Sequence, residues 1–281
     1  MKLAIIGDEI DQDLSKVINI VKEKSFSGVE IRSVWNTRPD ELDKIQIKKI
    51  KKEIKDSNLL IAGFDSPVFK TELPRTTEQL QEARENFLKA VEQARLLNAG
   101  FIRVFTFYRV GEANPRLAGR VLQEIIGDII PDDIGIYIET GMRTNTPTIQ
   151  HMLSMLDVIA SDQLGVVWDP GNSVYAGAIK KPFPSEYKEG KDVIKHIHIK
   201  DPKGQQEYVR LGDGDIPWLD ILRNLKEDNY TGWLSLETHW RIGKVLSQEI
   251  RDNPWYDQFS DGGYAASVQC MDKIKKYMEV I

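Results

Sequence analysis

The feature that most constrains this chain is a recurring unit, a short apolar run followed by a helical period. The runs are Leu3–Ile6, Gly28–Ile31, Leu59–Phe64, Phe101–Phe107, Ile134–Ile138, Gly165–Trp168, Ile194–Ile199 and Trp233–Leu236. Each is rich in Ile, Val or aromatics and is bounded by polar, Gly or Pro residues, as strands buried in a parallel sheet are. Between them the apolar spacing changes to that of a helix. Val17, Ile20 and Val21 recur at i, i+3 and i+4, and Leu42, Ile45, Ile50 and Ile54 form a second stripe. Leu80, Ala83, Phe87, Val91 and Ala94 form a third, opened by a capping box at Thr76 and Gln79. Thr146-Pro147 reads as an N-cap with proline in the first turn, ahead of Ile149, Met152, Leu153 and Leu156.

A strand plus its crossover helix takes roughly 30 residues, and the run starts near residues 3, 28, 59, 101, 134, 165, 194 and 233 keep to that interval. Strict alternation implies a parallel sheet. Eight units in 281 residues predict a closed (β/α)8 barrel, which takes about 250, with residues 1–281 as one domain. An open doubly wound sheet is the alternative topology. The segment from Leu246 to Gly263, with Asn253-Pro254-Trp255-Tyr256, is an extra loop or short helix placed to cover the barrel mouth or meet another subunit.

Composition limits the partners. At 41% hydrophobic and 29% charged the chain has ample material for a core. A net charge of -5 argues against a nucleic-acid backbone as main partner. Cys270 is the single cysteine, so no internal disulfide forms, which fits a reducing cytosol. The N-terminus turns polar at Gly7-Asp8, too early for a signal peptide. No apolar run approaches the roughly 20 residues of a membrane span. We expect a cytoplasmic protein with no membrane partner.

The last four runs share an oddity: each is apolar and ends in a metal-capable residue. The fifth ends at Glu139, the sixth at Asp169, the seventh reads Ile-Lys-His-Ile-His198-Ile-Lys200-Asp201, and the eighth ends at Glu237. In a parallel barrel these ends share the face on which active sites are built. Three carboxylates and an imidazole converging there would repel without a positive partner, and a divalent cation is the simplest one. An oxygen-rich set with one imidazole favours Mn²⁺, with Mg²⁺, Co²⁺ or Zn²⁺ as alternatives. A single strand-end carboxylate is more often a helix cap or an ion-pair partner, and a lone histidine is more often structural. The joint pattern carries the reading. His196 and His198 alternate with isoleucines, and we expect one to line the barrel and the other to face the helices.

At these residues the chain resembles the sugar phosphate isomerase/epimerase superfamily of xylose-isomerase-like TIM barrels. The resemblance runs from Gly28-Val29-Glu30-Ile31-Arg32 to the eighth strand. Its most specific pieces are Trp168-Asp169-Pro170-Gly171-Asn172, His196-Ile197-His198-Ile199-Lys200-Asp201 and Gly212-Asp213-Gly214-Asp215-Ile216-Pro217-Trp218. It implies that Glu139, Asp169, His198 and Glu237 hold the metal, with His198 rather than His196 as the ligand. It further implies that Glu139 and Glu237 double as the acid/base pair. Ketohexose epimerases of this family often carry histidine where this chain has Asn172, so the resemblance does not single out that activity.

The implied chemistry is proton removal from a carbon beside a carbonyl, through a metal-stabilised enediolate. Return of the proton gives epimerisation or isomerisation of a small sugar or sugar-like ketone. Loss of a β-hydroxyl makes the enzyme an inosose-type dehydratase or another lyase. Asn172, Lys200, Arg103 and Glu30 are candidates to bind substrate hydroxyls, and Trp240, with Trp35, Phe64 and Phe107, to form an apolar wall. Arg143 and Arg241 are candidate phosphate clamps, although the Gly212–Asp215 stretch is acidic. Two other classes compete: a non-catalytic sugar-binding barrel, and an apurinic-site endonuclease. The nuclease needs extra histidines on early strands, whereas the four in this chain are His151, His196, His198 and His239. The expected partner is a small-molecule carbohydrate, and the expected assembly a homo-oligomer.

Overall fold

The computed structural model describes all 281 residues. Ten strands form in chain order: β1 (Lys2–Ile6), β2 (Gly28–Ile31), β3 (Leu60–Asp65), β4 (Phe101–Val104), β5 (Gly135–Glu139), β6 (Leu164–Trp168), β7 (Ile194–Ile199), β8 (Asp201–Lys203), β9 (Glu207–Val209) and β10 (Trp233–Leu236). Eight of them close a parallel barrel in the order β1-β10-β7-β6-β5-β4-β3-β2, and β8 with β9 makes a small antiparallel hairpin outside it. Closure rests on β1 pairing with β10, Lys2 opposite Trp233 and Ala4 opposite Ser235. That pairing rules out the open sheet.

Helices cover the barrel with the faces their apolar spacing dictates. The helix Leu14–Glu23 buries Val17, Ile20 and Val21, and Thr77–Leu97 buries Phe87, Val91 and Ala94 behind its Thr76–Gln79 capping box. Two helices start elsewhere than expected. Leu42 of the expected stripe lies ahead of its helix, because Asp43 caps Lys44–Asp56 and forms a capping box with Gln46. Ile45 therefore falls in the first turn and is 79% exposed, while Ile47 joins Ile50 and Ile54 on the buried face. Thr148 rather than Thr146 caps the helix Ile149–Ile159. β4 also stops short of Phe107. The amides of Phe105 and Phe107 turn away to the carbonyls of Val68 and Phe69, and Phe107 takes φ 60°.

The barrel interior is packed, and glycine makes the packing possible. The Phe101 ring lies 4.7 Å from that of Tyr137 and 4.5 Å from that of His196. A Cβ at Gly63 would sit 2.3 Å from the Phe101 ring, which its neighbours prevent from swinging aside. This plug closes the barrel beneath the strand ends, so chemistry is confined to the opposite face. Gly63→Ala should overpack this layer and lower stability by about 1–3 kcal/mol, read as a shift of the urea midpoint; an unshifted midpoint would show that the ring is not confined.

Candidate metal centre and active site

The four strand-end residues meet. Glu139, Asp169, His198 and Glu237 are buried, and each offers a donor atom within 4.8 Å of the others'. Glu139 ends β5, Asp169 and Glu237 follow the last residues of β6 and β10, and His198 lies one residue before the end of β7. Asp169 also serves as a helix cap: its Oδ1 accepts from the Asn172 amide at 2.9 Å and starts the helix Pro170–Tyr175.

His198 orients the cluster. Its Nδ1 lies 3.4 Å from Glu139 Oε1 and 3.5 Å from Glu237 Oε2 and is buried without a hydrogen bond. Donors bound to one ion at about 2.0–2.2 Å in tetrahedral or octahedral arrangement lie roughly 3.0–3.4 Å apart. The spacing is therefore that of ligands sharing an ion, and the cluster is a candidate site for a divalent cation. His198 Nε2 lies 3.0 Å from Glu30 Oε2. A carboxylate on the far nitrogen fixes the tautomer that leaves Nδ1 free to ligate.

Glu30 does not reach a substrate. It is fully buried, and its other oxygen is taken by Ser235 Oγ and His196 Nε2, each at 2.5 Å. Both histidines therefore point into the barrel. The expectation that they part to opposite faces fails because residues two apart on a strand share a face.

The chain brings its own cations to the cluster. Arg103 Nη1 donates to Glu139 Oε2 at 2.5 Å. Lys200 Nζ lies 2.6 Å from Glu237 Oε2 and 2.7 Å from Asp169 Oδ2. Arg32 bonds Glu237 Oε1 at 2.7 Å, Asp8 Oδ1 at 2.7 Å and Glu9 Oε1 at 3.0 Å. Repulsion among the carboxylates alone thus does not demand a metal, contrary to the charge argument made from sequence; the donor spacing around His198 carries the case. Burial acts to raise Glu139, but Arg103, ahead of His198, overrides it and holds the carboxyl at about 2. Glu237 is likewise held well below the carboxylate range against burial, by Lys200 and His239. Burial pushes Asp169 up to about 7 despite Lys200, with Glu237 and Glu139 adding to the rise.

A narrow cleft of about 50 Å³ opens over the cluster, smaller than the roughly 300–1,000 Å³ usual for small-molecule sites. Arg103, Glu139, Asn172, Lys200 and Glu237 line it together with Arg32 and His239. Asn172 donates to Glu139 Oε1 at 3.0 Å and to the Thr140 carbonyl at 2.9 Å, and its Oδ1 is left without a partner. The apolar wall differs from the expected one. Phe64 and Phe107 are core residues, and neither Trp35 nor Trp240 lines the cleft; Phe105, Tyr108 and Trp255 do. Trp255 comes from the segment after the last strand, which does cover the mouth. Arg143 also lines the cleft, but Arg241 is buried against Glu9 and the Phe259 carbonyl. A roomier hollow of about 390 Å³ lies beneath the loop after β3, but no metal-capable cluster opens into it.

Asp8, Glu9, Arg32 and His239 went unremarked in the sequence. All follow barrel strands, the same positional signal that marked Glu139 and Glu237. His239 Nδ1 donates to Glu9 Oε1 at 2.7 Å, and the residue takes φ 47°, a conformation non-glycine residues hold only under constraint. Arg32→Met would strip the Asp8 and Glu237 carboxylates of a buried partner. A loss of about 3–5 kcal/mol is expected, partly recovered by adding Asp8→Asn, both measured by chemical denaturation.

Comparison with known proteins agrees with this architecture. Residues 18–272 match the family model described as a xylose isomerase-like TIM barrel. An uncharacterised protein of Methanocaldococcus jannaschii is 29% identical over 189 residues, 62% of this chain and 60% of that protein, so this chain spans less than two thirds of its length. An inosose dehydratase of Clostridium botulinum is 25% identical over 248 residues, 77% of this chain and 80% of that enzyme. The crystal structure of a D-tagatose 3-epimerase-like protein superposes with a TM-score of 0.72 at 21% identity, over 100% of this chain and 98% of that one. At that identity the superposition shows the fold.

Proposed function

The chain belongs to the xylose isomerase-like TIM-barrel family, and on that premise we propose that it is a divalent-metal-dependent isomerase or epimerase of a small sugar or sugar-like ketone. The observation that carries the reading is the set of four donors around His198 Nδ1 with two glutamates among them. Glu139, Asp169, His198 and Glu237 would hold the ion, Mn²⁺ by preference. When bound, it would supply Lewis-acid polarisation of the substrate carbonyl.

Glu139 and Glu237 are the proton-transfer pair in this reading. Arg103 beside Glu139 and Lys200 beside Glu237 keep them ionised at neutral pH, the state a base requires, while limiting their basic strength. The acidity must therefore arise on the substrate. The Lys200 ammonium contributes by standing beside the oxygens where negative charge develops. The two glutamates come from β5 and β10, which lie three strands apart around the barrel. They approach the cleft from different sides, as removal and return of one proton on opposite faces requires. The free Oδ1 of Asn172 is suited to accept a hydrogen bond from a substrate hydroxyl.

A second reading, dehydration, is favoured by the inosose dehydratase relative. It begins with the same proton removal and ends with loss of a β-hydroxyl. A screen of ketoses and inososes in D₂O separates the two by NMR: deuterium enters recovered or epimerised substrate in the first, and an unsaturated product accumulates in the second. Glu139→Gln and Glu237→Gln should each abolish turnover with the fold intact by circular dichroism; substantial activity in both would overturn the assignment. Glu30→Ala should weaken Mn²⁺ binding by about 10–100-fold, read by paramagnetic resonance titration, since it removes the acceptor that holds the His198 tautomer.

A further inference from the structure

Above the carboxylate cluster, three cations share the rim of the cleft with one carboxylate. Lys70 comes from the loop after β3. Its ammonium has no acidic partner: it lies 3.4 Å from the Asp252 carbonyl oxygen and 5.5 Å from the Phe105 ring centre. Arg251 has none either. Its guanidinium stands 5.2 Å over the Tyr175 ring, one nitrogen donates to the Leu246 carbonyl, and Nε is buried without a partner. Arg143 stands 5.1 Å over the Tyr108 ring and pairs with Asp252. Lys70, Arg143, Arg251 and Asp252 all line the same cleft as Glu139 and Glu237.

The two levels of the cleft differ in their charge. Deeper in, Arg32, Arg103 and Lys200 are each committed to buried carboxylates. At the rim, three positive groups face one negative group. Aromatic faces hold two guanidiniums in place, so little side-chain freedom is lost when they meet a ligand. Burial, reinforced by the Arg103 guanidinium, pushes the Lys70 ammonium down to about 8, a strain that an incoming negative charge would relieve. Nothing acidic opposes this from the Gly212–Asp215 turn, which does not line the cleft. That turn instead points its Gly212 and Gly214 amides at the Asp201 carboxylate.

We propose that the rim is an anion subsite: the substrate carries a carboxylate or phosphate, which Lys70, Arg143 and Arg251 hold while its hydroxylated carbons face the carboxylate cluster. This deepens the proposed function and rests on it for the second half of that statement. Asp252 is the internal competitor, occupying part of the positive rim until the anion arrives. A planar guanidinium fork suits either group, because both present paired oxygens.

The test is calorimetric titration in metal-free buffer with D-gluconate, D-glucose 6-phosphate and, as neutral control, D-glucose. At least one anionic probe should bind about tenfold tighter than glucose or better. Lys70→Ala and Arg251→Ala should each remove most of that advantage, Lys70→Arg should keep it, and Asp252→Asn should increase it. The anion that binds more tightly identifies the group as carboxylate or phosphate. The proposal is overturned if neither anion outbinds glucose, or if the alanine variants weaken glucose and the anions alike. Binding is read without turnover, so absence of deuterium exchange with anion binding retained would sink the proposed reaction and leave the subsite standing.

Discussion

Burial of many carboxylates at one end of a barrel must be compensated on the spot, and this requirement organises the structure. Asp8, Glu9, Glu30, Asp65, Glu139, Asp169 and Glu237 are all buried there. A buried carboxylate without a partner costs several kcal/mol, so each recruits a cation or imidazole from another strand end. Arg32 ties β2 to the segment after β1 and to Glu237 beyond β10; Lys200 ties β7 to Asp169 and Glu237. These bonds link strand ends across the top of the barrel. They fix carboxylates whose positions the strands alone would set only loosely.

The same network leaves several buried polar atoms without a hydrogen bond, His198 Nδ1 among them. Glu30 holds the His198 ring at Nε2, and Nδ1 is faced by carboxylate oxygens at 3.4 and 3.5 Å, the spacing of shared coordination. An ordinary ion-pair cluster would have closed this gap. The candidate metal centre is therefore best understood as the point where internal compensation stops. Above it the balance tips the other way, with positive groups in excess at the rim.

How much of this was legible in the sequence follows from what each signal encodes. The barrel was legible because burial on both faces makes every strand an apolar run, and all eight runs became barrel strands. The convergence of the four candidate ligands was legible for a related reason: a polar residue that terminates such a run stands out. Asp8, Glu9, Arg32 and His239 obey the same rule but were passed over, since an acid or arginine after a strand also suits a plain turn. Glu30 was placed on the substrate side because a strand residue's depth in the barrel depends on the register between strands, and a shift between Val29 and Glu30 is not written in the run. Ile45 and Thr146 mark the limits of periodicity at helix starts, where the cap and not the stripe decides. Trp255 took the place expected of Trp240 because loop paths over the mouth are set by long-range packing.

The central claim is that Glu139, Asp169, His198 and Glu237 form one metal centre. Anomalous diffraction from crystals soaked in Mn²⁺ tests it most directly. The account predicts a single strong peak within bonding distance of all four residues, with Lys200 displaced from at least one of its carboxylates. A peak at another cluster, or a fully occupied Lys200 bridge with no peak at saturating Mn²⁺, would contradict it.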